Sequence, residues 1–176
     1  MKNAVAAERQ GLAAEYAMKN KPFSLTPGEY VIFDGLISPY IEDPKILRMR
    51  DFIQHGNIST YDHCIDVAKT AFAINRRLNA GVDEFYLVRV CMLHDYFLYD
   101  WHDHGDKLHG YHHPEIASYN ALQDFQITDS EQEMIRTHMW PLTLFHMPRS
   151  KGGWILTFAD KICSTREIIE DRLGLK

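Results

Sequence analysis

The segment EFYLVRVCMLHDYFLY, Glu84 to Tyr99, is apolar or aromatic everywhere except at Glu84, Arg89, His94 and Asp95. A helix that is apolar on nearly every side sits at the centre of a bundle. His94 falls on the face of Leu87, Val90 and Cys91 and so points inward. Asp95 stands about 100° further round and addresses a neighbouring position. An imidazole and a carboxylate at the end of a core helix need partners, because unpaired buried charge is costly.

The flanking pattern is also helical, with no alternating strand run and no internal repeat. Asp43 as N-cap and Pro44 at the first position start a helix carrying Ile46, Leu47, Met49 and Ile53, which Gly56 closes. Ser59 opens another, running to about Leu78, in which His63, Val67, Ala71, Ile74 and Leu78 form one stripe headed by a histidine. After Tyr99 comes a loop from Asp100 to His112, long enough to expect a function for it. Pro114 restarts a helix at its first position and puts His113 at the mouth. Thr128 and Glu131 form a capping box for a helix in which Met134 and Ile135 share a face with His138, and Pro141 ends it. The last helix, about 152–172, carries Asp160 on a face with Leu156, Cys163 and Ser164.

Residues 5–18 read as a helix through Val5, Leu12 and Tyr16, whereas 20–42, broken by Pro22, Pro27, Gly28 and Pro39, give no clear pattern. The expectation is a single all-α domain over 1–176. Its bundle core spans about 44–172, and an accessory helical segment, 1–43, covers the bundle or forms a homodimer surface. A chain of 176 residues can bury one substantial core without disulfides. A formal net charge of −5 argues against a nucleic-acid duplex as partner. Cys64, Cys91 and Cys163 are odd in number and lack a CxxC pair, so they form neither a disulfide framework nor a thiolate zinc site. No stretch has the apolar core of a signal peptide or approaches the ~18 apolar residues of a membrane span. The expected home is therefore the cytoplasm, with no membrane partner.

Five helices thus each offer metal-capable side chains on or beside an apolar face: His63, His94 with Asp95, His113, His138 and Asp160. Each alone reads as a core residue satisfied by a backbone group. Together they would cost many kcal/mol to bury unless cations neutralised them, and helical bundles build metal sites from such inward side chains. Nitrogen and oxygen donors without thiolate suit Fe, Mn, Zn or Ni, and the imidazole content is too high for Ca.

The order His63, LHD at 93–95, HHPEIAS at 112–118, IRTH at 135–138 and ADKICSTRE at 159–167 resembles the HD-domain superfamily of metal-dependent phosphohydrolases, over roughly residues 44–172. It is most similar to the dinuclear branch, which has two extra histidines between the HD pair and the last aspartate. The resemblance implies an HD-domain-like helical bundle binding two metal ions, Fe or Mn foremost, with Zn, Ni, Co or Mg as alternatives. His63, His94, Asp95 and Asp160 would hold one ion, and Asp95 would bridge to a second on His113 and His138. The spacing to Ala117 and Ser118 aligns His113, rather than His109 or His112, with the family ligand.

Many HD hydrolases carry a lysine three residues after the HD aspartate, and this chain has Leu98 there. Phosphate contacts then fall to Lys107, Lys161, Arg149 or Arg166. Arg166, about 120° off the Asp160 stripe, reaches at best a distal phosphate, or pairs at the surface with Glu167 or Glu170. The segment ADKICSTRE also resembles the end of HD proteins that cleave dinucleoside polyphosphates.

Two ions sharing a carboxylate lower the pKa of a bound water toward neutrality, and the resulting hydroxide can attack a phosphorus held by the same ions. No side-chain nucleophile is required, in keeping with a sequence that lacks a GxSxG elbow or a phosphate-binding glycine loop. His109, His112 or Asp100 could protonate the leaving oxygen. Trp101, Trp140, Tyr96 and Tyr99 could stack a nucleobase or simply fill the core. The expected substrate is a nucleotide, a dinucleoside polyphosphate or a small phosphomonoester. Two alternatives stand beside this: a di-iron oxygenase on the same fold, with His55 or Asp62 as an added site residue, and a non-catalytic nucleotide- or metal-binding regulator.

Overall fold

Thr26 starts the first helix of the computed structural model, which describes residues 23–102 and 107–174. The helix expected over 5–18 lies outside the described residues. Helix α1 (Pro27–Ile41) opens on a capping box in which Thr26 Oγ1 accepts from the Glu29 amide at 3.3 Å. It occupies the stretch that gives no clear pattern in sequence. Tyr30, Val31 and Ile32 on this helix are exposed while Phe33, Ile37 and Tyr40 are buried, so apolar residues on both faces blur the helical period.

Asp43 and Pro44 do start a helix, but α2 (Pro44–Leu47) lasts one turn and passes through a 3₁₀ turn, Arg48–Asp51, into a hairpin. The expectation of a helix to Gly56 with no strands is therefore corrected. Strand β1 (Ile53–His55) pairs antiparallel with β2 (Ile58–Ser59), Ile53 opposite Ser59 and His55 opposite Ile58. Gly56 is the hairpin turn, at φ +55°, and a Cβ there would run into the Asp171 carboxylate.

Helix α3 (Thr60–Arg77) is capped by Ser59, whose hydroxyl oxygen accepts from the Asp62 amide at 3.1 Å. Its buried row runs from His63 through Val67 and Ala71 to Ile74 and stops there, because Leu78 is the C-cap residue and lies 71% exposed. Helix α4 (Glu84–Leu93) is capped by Asp83 and ends at Leu93, not Tyr99, leaving His94 at its C-cap. The Asn120 amide donates to the Tyr96 and Phe97 carbonyls, both at 3.1 Å, and pins the turn that follows.

Helix α5 (His109–Phe125) begins five residues before Pro114, which lies within it and has no N–H to offer the Gly110 carbonyl. Helix α6 (Asp129–Thr137) has the expected Thr128–Glu131 capping box, and α7 (Lys151–Arg172) starts at Ser150. Helix α3 packs against α4 and α7, α5 against α6, and α6 against α7. Among the described residues the architecture is all-α with one small hairpin. No helix among the described residues is long and apolar enough to cross a membrane.

Asn75, buried near the end of α3, donates from Nδ2 to the Val82 carbonyl at 2.8 Å and accepts at Oδ1 from the Val82 amide at 3.1 Å. This clamp fixes the turn into α4 and so the separation of His63 from His94. Asn75→Ala removes both bonds and strands buried polar groups, which should cost about 1–3 kcal/mol. In urea unfolding the midpoint should fall with the slope unchanged.

Candidate metal centre

His63 lies on the first turns of α3, His94 and Asp95 at the C-terminal end of α4, His113 near the start of α5, His138 at the C-cap of α6 and Asp160 midway along α7. All six are buried, none more than 4% exposed. They converge on one point in the bundle.

Each of the four imidazoles is anchored at Nδ1. His94 donates to the Cys91 carbonyl at 2.7 Å, His138 to Ile135 at 2.6 Å and His113 to His109 at 2.9 Å. His63 donates instead to the Glu167 carboxylate, Oε2, at 2.9 Å. The local cause is helix-end chemistry. His94 and His138 occupy C-caps, where the last carbonyls of a helix lack their usual i+4 amide and can accept a side-chain donor. With Nδ1 turned to its anchor, each Nε2 points to the interior.

Those four nitrogens gather round Asp95. Oδ2 lies 3.4 Å from His94 Nε2 and 3.8 Å from His63 Nε2, and Oδ1 lies 3.1 Å from His113 Nε2 and 3.6 Å from His138 Nε2. His113 Nε2 and His138 Nε2 face each other at 3.0 Å, and His63 Nε2 is 3.4 Å from Asp160 Oδ1. Donors bound at ~2.1 Å stand about 3.0 Å apart on an octahedral edge and about 3.4 Å apart on a tetrahedral one. The spacings therefore match the edges of a coordination shell. His63, His94 and Asp160, and likewise His94, Asp95 and His138, bring donor atoms within 4.8 Å of one another. His63 Nε2, His94 Nε2 and Asp95 Oδ1 are buried without a hydrogen-bond partner. Buried orphans of this kind, two nitrogens and an oxygen, fit a cation.

The electrostatics agree. Asp95, Asp160 and Glu167 bring three carboxylates into the interior. Burial opposes their charge, but for Asp95 the surrounding His94 and His113 hold the carboxyl well below its usual range, and for Asp160 the His63 ring 3.4 Å away and Lys161 do the same. Burial also works against a charged His63, yet the nearby Asp160 and Glu167 carboxylates lift it to about 10, so a cation bound at Nε2 takes the place of a proton there. Burial and the neighbouring His94 push His138 down to about 3. Burial raises the thiols of Cys64 and Cys91 well above their usual values, which keeps them protonated and outside the ligand set.

Other candidates fall at different distances from this centre. Lys161 Nζ donates to Asp160 Oδ2 at 2.7 Å. Arg166 pairs with Asp66 at 2.9 Å and approaches Glu170 at 4.0 Å, while Glu167, expected beside it at the surface, is fully buried on His63. Lys107 is exposed, and the Arg149 amide donates to Glu133. His112 is exposed, which leaves His113 as the histidine of that pair inside the cluster. His109 stacks on His113 at 4.6 Å and on Trp101 at 4.9 Å, with the Tyr99 hydroxyl on its Nδ1 at 2.8 Å. Asp100 accepts from the His102 amide, and Asp62 from the Ser59 hydroxyl at the cap of α3. Tyr96 is buried with its hydroxyl on Asp124, so it cannot stack a ligand. Trp140 packs edge-on against Trp154.

Two residues at the site are not among those the sequence reading assigns to it. Gln54 Nε2 donates to Asp95 Oδ2 at 2.6 Å, from a strand whose residues read as helix. Glu167 lies seven residues after Asp160, two helical turns on and on the same face, a spacing that would have found it.

The chain matches the HD domain family over residues 60–165, more than half its length. Among curated proteins and solved structures nothing matches it. The matched span opens three residues before His63, closes five after Asp160 and takes in all six candidate ligands, with Gln54 and Glu167 just outside it. By that span and by its all-α fold, the chain belongs to the HD-domain family.

Proposed function

We propose that this protein is a metal-dependent phosphohydrolase that cleaves a phosphate ester or phosphoanhydride of a small molecule, with two ions held on either side of Asp95. One observation carries the reading: the two Asp95 oxygens face different histidine pairs, Oδ2 toward His63 and His94, Oδ1 toward His113 and His138. HD domains are generally metal-dependent hydrolases, which supports the reaction class. The donor set favours Fe or Mn. Such ions, when bound, make a water nucleophilic near neutral pH and polarise a phosphoryl oxygen.

The protein's own groups have distinct tasks. Asp95 and Asp160 set the charge of the centre, and the four Nδ1 anchors hold the imidazoles in one tautomer and orientation. Lys161 is part-exposed and already lies against Asp160, so it can turn from that carboxylate to a substrate phosphate and replace the cation missing at Leu98. His109, stacked between Trp101 and His113, stands beside the cluster as the acid for a leaving oxygen. Arg166 and Lys107 are too engaged or too exposed to lead in binding phosphate. The Asp62 and Asp100 carboxylates serve local caps and turns, which removes one of the two side chains that would favour an oxygenase.

Elemental analysis of the purified protein should find about two transition-metal ions per chain, and phosphate release should appear in a screen of nucleotides, dinucleoside polyphosphates and phosphomonoesters with Mn, Fe, Co or Mg. Two ions with no phosphate release, together with a visible iron band, would favour the oxygenase. His113→Ala should halve the metal content and His112→Ala should leave it intact. Unchanged metal in His113→Ala would sink the second position. Lys161→Met should raise KM about 10–100-fold, the worth of one charged hydrogen bond, with metal content unchanged. An unaltered KM would assign phosphate binding elsewhere.

A further inference from the structure

The four histidines are not equivalent. Three donate Nδ1–H to neutral backbone carbonyls, those of Cys91, His109 and Ile135, whereas His63 donates to a carboxylate. Glu167 is 0% exposed, and its second oxygen, Oε1, has no hydrogen-bond partner. A buried carboxylate held solely as part of a structural ion pair would be replaceable by apolar packing. Placed behind a ligand imidazole, it does something more specific: it raises the basicity of the opposite nitrogen and fixes the ring's orientation.

The charge around Asp95 is uneven in the same direction. On the Oδ2 side stand His63, His94 and Asp160, with Glu167 behind. On the Oδ1 side stand His113 and His138, with only carbonyls behind. A cation on the first side meets two more carboxylates than one on the second, Asp160 being shared with the Lys161 ammonium and Glu167 carrying no such partner but His63.

We infer that Glu167 is a positioning residue that makes the His63 side the tight metal position, so that the protein fills in order, His63/His94/Asp160 first and His113/His138 second. The inference deepens the two-ion reading and rests on it. It makes the second ion the exchangeable one.

Cobalt(II) titration of the full-length, chelator-stripped protein tests this, followed by calorimetry and by the visible ligand-field bands. The wild type should bind in two steps, the first at least about tenfold tighter. Glu167→Gln keeps an acceptor oxygen but removes the charge. It should weaken the first step about 10–100-fold, shift its ligand-field bands and leave the second step within about twofold. A first step unchanged in Glu167→Gln, or both steps weakened alike, would overturn the assignment. Should the wild type bind a single ion, the two-ion reading falls, but Glu167 must still weaken that one step or fall with it. If Glu167→Gln yields no folded protein, His113→Ala decides instead: retention of the tight step supports the order and its loss overturns it.

Discussion

Asp95 sets the terms on which this protein folds. It is a carboxylate 1% exposed, and the Nε2 atoms of four histidines from four helices come within 3.1 to 3.8 Å of it. Leaving such a group buried without compensation would cost several kcal/mol. The bundle answers by bringing α3, α4, α5 and α6 to a common point, with α7 adding Asp160 and Glu167. Gln54 reaches in from the hairpin to the same carboxylate. The hydrophobic core around these helices is conventional. It packs the same helices together, and Asp95 requires that they meet with their Nε2 atoms turned to one anion.

The way the histidines are held links local helix chemistry to the site. Carbonyls in the last turn of a helix have acceptor capacity to spare, and His94 and His138 use them as anchors, the Ile135 carbonyl taking both the amide and the ring N–H of His138. A histidine at a C-cap thus turns a routine feature of helix termination into a ligand whose tautomer is set. His113 gains its anchor only because α5 begins at His109 rather than at Pro114, which puts the His109 carbonyl four residues behind it. Had the helix started at the proline, that ring would have lacked its orienting partner.

Much of the centre is legible in the sequence because its parts sit on strongly periodic helices. His63 heads a buried row, His94 shares a face with Leu87 and Val90, and Asp160 lies one turn from Leu156. In each case the apolar neighbours reveal the direction of the polar group. Asp95 follows from its place beside His94 and His113 from the family resemblance, and the fold brings these two together with His63, His94, His138 and Asp160. What escapes is governed by non-local contacts. The hairpin at Ile53–Ser59 is too short to alternate visibly, and the helix Pro27–Ile41 exposes Val31 and Ile32, so neither leaves a clear period. Glu167 shares the Asp160 face two turns on, but beside Arg166 it reads as half of a surface pair, and its partner is a histidine 104 residues away.

Anomalous diffraction at the manganese edge, from crystals grown with manganese, addresses the central claim most directly. Two peaks flanking Asp95, about 3.5–4 Å apart as in other two-metal sites, are expected, one against His63, His94 and Asp160 and the other against His113 and His138. A single peak confined to one side, or none within bonding distance of Asp95, would contradict it.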